Sequence, residues 1–130
     1  EITTRLVGSE MCIRDRIEAL RKYGFYTMED FFTMKREAEG YVSWGYKTGD
    51  GWLIGAEITG HILHECPKVL AVQPFGCMPN HTCGRGLYPS LQKKLPQGMI
   101  VSCDVDSSGS KLNVYNRARM LVDMPLKMGK

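Results

Sequence analysis

Two short apolar runs, Val69 to Val72 and Met99 to Cys103, limit most what this chain can fold into. The first, bounded by Pro67 and Pro74, is nearly continuous in the way of strands buried on both faces, a habit of parallel sheets. Between the runs, Leu87, Leu91 and Leu95 repeat at i+4; Pro89 is tolerable in a first helical turn, and Pro96 with Gly98 ends the helix. A strand, crossover helix, strand unit closes right-handed with parallel strands, so both carboxyl ends lie on one edge of the sheet.

The flanking patterns are helical. Asp50 is placed to cap a helix whose stripe is Ile54, Ile58, Ile62 and Cys66, and Leu112, Tyr115, Ala118 and Leu121 mark another after the acidic, serine-rich turn Asp104 to Ser110. Upstream, Ile17 to Tyr23 reads as a short helix stopped by Gly24, and a second from Thr27 through Phe31, Met34 and Ala38 ends at Gly40. The expected class is α/β: a partial doubly wound parallel sheet, a Rossmann-like or flavodoxin-like half, over residues 43–130, with a helical remnant of an upstream region at 17–42. Residues 1–16 are set aside, because Leu6 to Arg16 resembles the translation of a transposon-end sequencing adapter of the kind left at the edges of assembled metagenomic genes. On that reading the natural gene continued upstream and the chain is a fragment.

Charge and composition exclude several functions. Seventeen basic against 14 acidic residues give +3, scattered rather than stacked into a stripe, so nucleic acid is not an expected partner. No run approaches the ~20 apolar residues of a membrane span, and no export signal precedes the cysteines. The expected location is the cytoplasm, with reduced thiols rather than disulfides. No dinucleotide fingerprint, phosphate-binding loop or nucleophile elbow occurs.

The shared sheet edge collects the candidate site. Ligands of open α/β sheets sit beyond the carboxyl ends of the strands, where Cys77, Asn80, His81, Asp104 and Asp106 can converge. Cys77 and Cys83 flank Pro79, Asn80 and His81 and could supply soft thiolates to iron–sulfur or zinc, although paired knuckles are absent and small buried thiols are the alternative. Glu57, His61, His64 and Glu65 share a helix side, but their order fits no zinc motif and a solvated polar face is the simpler reading. Asp104, Asp106, Ser108 and Gly109 begin like a calcium loop whose twelfth position is Tyr115 instead of Glu, which excludes calcium. The same turn suits either a phosphate or a plain helix cap, and capping is preferred.

With these residues laid out, the chain resembles the C-terminal part of proteins related to 2-hydroxyacyl-CoA dehydratases and their CoA-substrate-specific enzyme activases. The resemblance runs from about Ser43 to Val122. It rests on the segments Thr48 to Ile58, Gln73 to His81, Gly84 to Gly86, Asp104 to Asp106 and Asn113 to Leu121. The family's pattern carries over to Gly51, Trp52, Gln73, Pro74, Phe75, Gly76, Cys77, Pro79, Asn80, His81, Asp104, Asp106, Asn113, Asn116 and Arg117. It implies an iron–sulfur, electron-transfer component of a dehydratase system: a [4Fe-4S] cluster with Cys77 as a ligand, Cys83 as a second candidate, and further ligands upstream. A CoA thioester would be the substrate. The implied partners are upstream domains of the same polypeptide and an ATP-dependent activator module. The competing reading is a non-catalytic module for assembly or CoA-phosphate binding, with structural cysteines.

Overall fold

A computed structural model describes residues 15–25, 27, 31–64, 66–107, 109 and 111–126. The chain divides into two compact units, Glu1–Asp30 and Phe31–Lys130. In the first, residues 15–22 are helical and stop before Gly24, whose N–H returns to the Arg21 carbonyl at 3.0 Å, as the sequence leads one to expect. Arg21 Nε donates to Thr27 Oγ1 at 2.9 Å and fixes the following turn. Of the adapter-like stretch, residues 6–14 lie outside the described residues, while Asp15 and Arg16 are exposed.

The second unit runs α1 (Phe31–Glu37), α2 (Trp52–Leu63), β1 (Lys68–Pro74), a π-helical turn (Asn80–Arg85), α3 (Tyr88–Lys94), β2 (Met99–Val105) and α4 (Lys111–Asp123). The strands pair in parallel, with Lys68 opposite Met99 and Pro74 opposite Val105, as the crossover pattern requires. The structure is thus mixed α/β around a small parallel sheet. The second compact unit begins at Phe31 and so includes α1 together with the α/β elements. Phe31 stacks edge-on against Trp52 with ring centroids 5.5 Å apart, and Trp44 meets the same ring at 4.9 Å.

Helix α2 starts differently from the sequence expectation. Gly51, not Asp50, is the N-cap, and no side chain caps the helix. The preceding turn does the work with its backbone: Trp52 N–H donates to the Tyr46 carbonyl and Leu53 N–H to the Asp50 carbonyl, both at 2.8 Å. Gly51 needs its missing Cβ there, because φ is +45° and a methyl group would run into the Tyr46 carbonyl oxygen. The helix ends at Leu63, short of Cys66, whose N–H turns back to the His61 carbonyl at 2.9 Å.

Ile58, Ile62, Leu87, Leu91, Leu95, Ile100, Val101 and Cys103 are buried, so the predicted stripes of α2 and α3 do meet the strands. Two expectations fail at the periphery. Strand β1 is only half-buried along Lys68–Ala71 and Val72 is 58% exposed, because a two-stranded sheet leaves each strand one open edge. On α4 only Leu121 of the apolar stripe is fully buried; Leu112 and Tyr115 remain 63% and 59% exposed, with too little sheet beneath the helix to cover them. Leu91, completely enclosed, is the packing centre of α3. Leu91→Ala should therefore lose about 2–5 kcal/mol of unfolding free energy in denaturant titration, whereas Leu112→Ala should stay within about 0.5 kcal/mol of the parent.

Candidate functional site

The carboxyl ends of the strands lie side by side, and the chain beyond β1 is turned sharply at that edge. Phe75 N–H extends the ladder to the Val105 carbonyl at 3.0 Å, and Cys77 N–H then closes a tight turn on the Pro74 carbonyl at 3.2 Å. Gly76 sits at φ +75°, the left-handed conformation such a turn demands in its third position. Cys77 is thereby delivered, half-buried, just past the sheet edge. The expected loop from Pro74 to Gly86 is mostly helical instead: residues 78 and 79 begin a helix that widens into the π turn. Pro79 needs no donor in a first turn, Thr82 Oγ1 back-bonds to the Met78 carbonyl at 2.8 Å, and Gly86 N–H reaches the His81 carbonyl at 3.0 Å. Those local bonds draw Pro, Thr and Gly, which composition marks as loop formers, into a helical path.

The π turn projects three polar side chains over the edge. Asn80 Nδ2 donates to Cys77 Sγ at 3.1 Å. His81 Nδ1 lies 2.8 Å from the Cys77 carbonyl, which can only accept, so Nδ1 carries the proton and Nε2 is directed toward Asp104 Oδ1, 3.8 Å away. Arg85 Nη2 binds Asp104 Oδ2 at 2.7 Å. From β1, Gln73 Nε2 donates to Asp104 Oδ1 at 2.6 Å across the register pair Gln73 and Asp104. Gln73 is only 1% exposed, and the bond to an acceptor-only carboxylate fixes its amide with Nε2 toward Asp104. Among the described residues its Oε1 and the Arg85 Nε–H are left as buried atoms without partners. The Arg85 guanidinium first, and the Gln73 amide second, hold the Asp104 carboxyl below the usual carboxylate range.

Of the residues expected to converge, Cys77, Asn80, His81 and Asp104 do so. Asp106 lies exposed beyond β2, its carbonyl accepting Gly109 N–H at 3.2 Å. Cys83 is buried in the π turn and Cys103 in β2; with Cys66 and Cys77 they are free thiols. Among the described residues no three His, Cys, Asp or Glu side chains are grouped to hold a metal ion. The polar side of α2 is not uniformly solvated: His64 Nε2 meets Glu37 Oε1 of α1 at 2.8 Å, and Glu65 lies outside the described residues. Asp104 is engaged by Arg85 and Gln73. Ser108 and Ser110, candidates for capping or phosphate contact, also lie outside the described residues.

Sequence reasoning met Arg85 only inside the Gly84 to Gly86 segment and gave neither it nor Gln73 a role at the site. A signal was available for Gln73, a polar residue ending an apolar strand beside the strand that ends in Asp104. A groove of about 600 Å³ was also missed; it lies between α2 and β1 and is lined by Asp50, Ile54, Glu57, Leu70, Val72 and Asn80. Burial, with help from the Asp50 charge, raises the Glu57 carboxyl above its ordinary value there, while burial and the neighbouring His64 lower His61. Comparison with models of protein families, with curated proteins and with solved structures gives no match to this chain. Among the described residues no helix is long and apolar enough to cross a membrane.

Because Asp104 titrates lower folded than unfolded, its contribution is complete above the ordinary carboxylate range and is lost as pH falls through its folded-state value. Arg85→Met should raise the Asp104 pKa, followed by carboxyl-carbon NMR, toward the ordinary value of about 3.9. The stability difference between this variant and the parent should be largest near pH 7 and shrink on acidification.

Proposed function

We propose that this chain is part of an iron–sulfur, electron-transfer component of a 2-hydroxyacyl-CoA dehydratase type system, to which it contributes Cys77 as a cluster ligand. The observation that carries the reading is the N–H···S bond from Asn80 to Cys77 at the carboxyl edge of the parallel pair. A [4Fe-4S] centre is held by cysteine sulfur, and N–H···S bonds to a ligand sulfur help set the cluster's potential. The donor set fits one ligand position and not a whole site, since among the described residues no three His, Cys, Asp or Glu side chains are grouped to hold a metal ion. The remaining ligands would come from upstream domains of the same polypeptide.

When bound, such a cluster supplies low-potential one-electron transfer, here toward a CoA thioester and from an ATP-dependent activator module. The residues of this chain would hold and shield the ligand. The Pro74 to Cys77 turn fixes the sulfur's position, Asn80 supplies its hydrogen bond, and the Gln73, Asp104 and Arg85 contacts keep the π turn seated on the strand ends. Exposed Phe75, Met78 and Val105 offer an apolar rim that a facing domain would cover, excluding water from the centre.

The test is anaerobic reconstitution, with iron and sulfide, of a full-length protein that contains this segment. Cys77→Ser should abolish or sharply alter the iron–sulfur absorbance and EPR signal, with far-UV CD and melting unchanged. Asn80→Ala should keep the cluster but make it harder to reduce, because the lost N–H···S bond favoured the more negative reduced state. Cluster content unaffected by Cys77→Ser would make Cys77 a structural thiol, leaving the non-catalytic assembly or CoA-phosphate module as the better reading.

A further inference from the structure

We propose that the groove between α2 and the outer edge of β1 receives an extended segment of a partner polypeptide as a third strand. The segment would be apolar at alternate positions and carry a basic side chain. The hydrogen-bond phase of the strand pair shows why an extended backbone fits. Met99 N–H donates to the Pro67 carbonyl and Phe75 N–H to the Val105 carbonyl, so odd-numbered residues of β1 address β2. Leu70 and Val72 consequently turn their N–H and C=O groups to the open edge, a template for strand addition.

The walls define the side chains. Leu53 and Ile54 of α2 face the groove across from Leu70 and Val72 and would take the apolar positions of an added strand. Asp50 and Glu57 also line the groove, close enough that the Asp50 charge raises the Glu57 carboxyl, and no Lys or Arg is among the lining residues. An ammonium or guanidinium placed between them would relieve that repulsion. A second copy of this chain fits less well. Its own β1 offers only Lys68 as a cation, and that Nζ is bound to the Val122 carbonyl at 2.5 Å. A two-stranded sheet is also marginal by itself, so a third strand adds ladder bonds where they count.

The test uses the isotopically labelled full chain and a synthetic peptide, acetyl-Thr-Val-Thr-Lys-Thr-Val-amide, whose Val and Lys side chains share one side of the strand, followed by amide NMR and hydrogen exchange. Binding should slow exchange at Leu70 and Val72 by at least about tenfold, and Glu57→Lys should weaken affinity by a similar factor. Val72→Pro removes only an outward donor, so it should abolish binding while the amides of β2 that bond to β1 stay protected. A peptide N-methylated at alternate amides should fail to bind. Equal binding of that peptide, or affinity indifferent to Glu57→Lys, would overturn the proposal. So would absence of binding, or protection of Leu70 and Val72 without peptide, whether by a dimer or by flanking chain. None of these readouts depends on a cluster at Cys77.

Discussion

The Asp104 carboxylate is the point on which the functional end of this structure depends. It accepts from Gln73 near the end of β1 and from Arg85 in the π turn while itself lying next to last in β2, so one side chain joins three elements. The bonds are charge-assisted on the Arg85 side and short on both, which orients the partners as well as attracting them. Asp104 is partly exposed and Arg85 more so, hence the gain is in geometry more than in Coulomb energy. Without it the π turn would lose its tether to the sheet, and with that the register between Cys77, Asn80 and His81.

The rest of the unit is organised around a small two-stranded sheet. Helices α2 and α3 bury their stripes on the strand pair, yet α4 keeps much of its apolar side in water and β1 keeps an open edge. Both conditions have one cause, since a strand without a neighbour leaves an edge unsatisfied and a narrow sheet gives the helices little floor to cover. The exposed Phe75, Met78 and Val105 near the strand ends belong to the same pattern of apolar surface that a narrow sheet leaves uncovered.

Much of the α/β frame was legible because it follows from short-range rules. The VLAV and MIVSC runs with a leucine i+4 repeat between them admit little besides a parallel strand pair and a crossover helix, and the register observed agrees. The segment after β1 was not legible. Pro74, Gly76, Pro79, Gly84 and Gly86 all signal loop, and the helical path they adopt rests on bonds from Thr82 and Gly86 that compete only weakly in isolation. Asp50 failed as a cap for a related reason, since the backbone carbonyls of its own turn already satisfied the first N–H groups of α2.

Sequence by itself determined the order and type of the main elements, the parallel sense of the strands and the placement of Cys77 beyond a carboxyl end, because periodicity, proline stops and crossover handedness are local or topological constraints. Tertiary structure alone decided that Arg85 and Gln73 converge on Asp104, that Cys83 turns inward while Cys77 meets Asn80, and that a groove opens along β1. Those outcomes depend on the rotation of the π turn and on which strand edge is left uncovered, quantities fixed by packing between residues far apart in the chain.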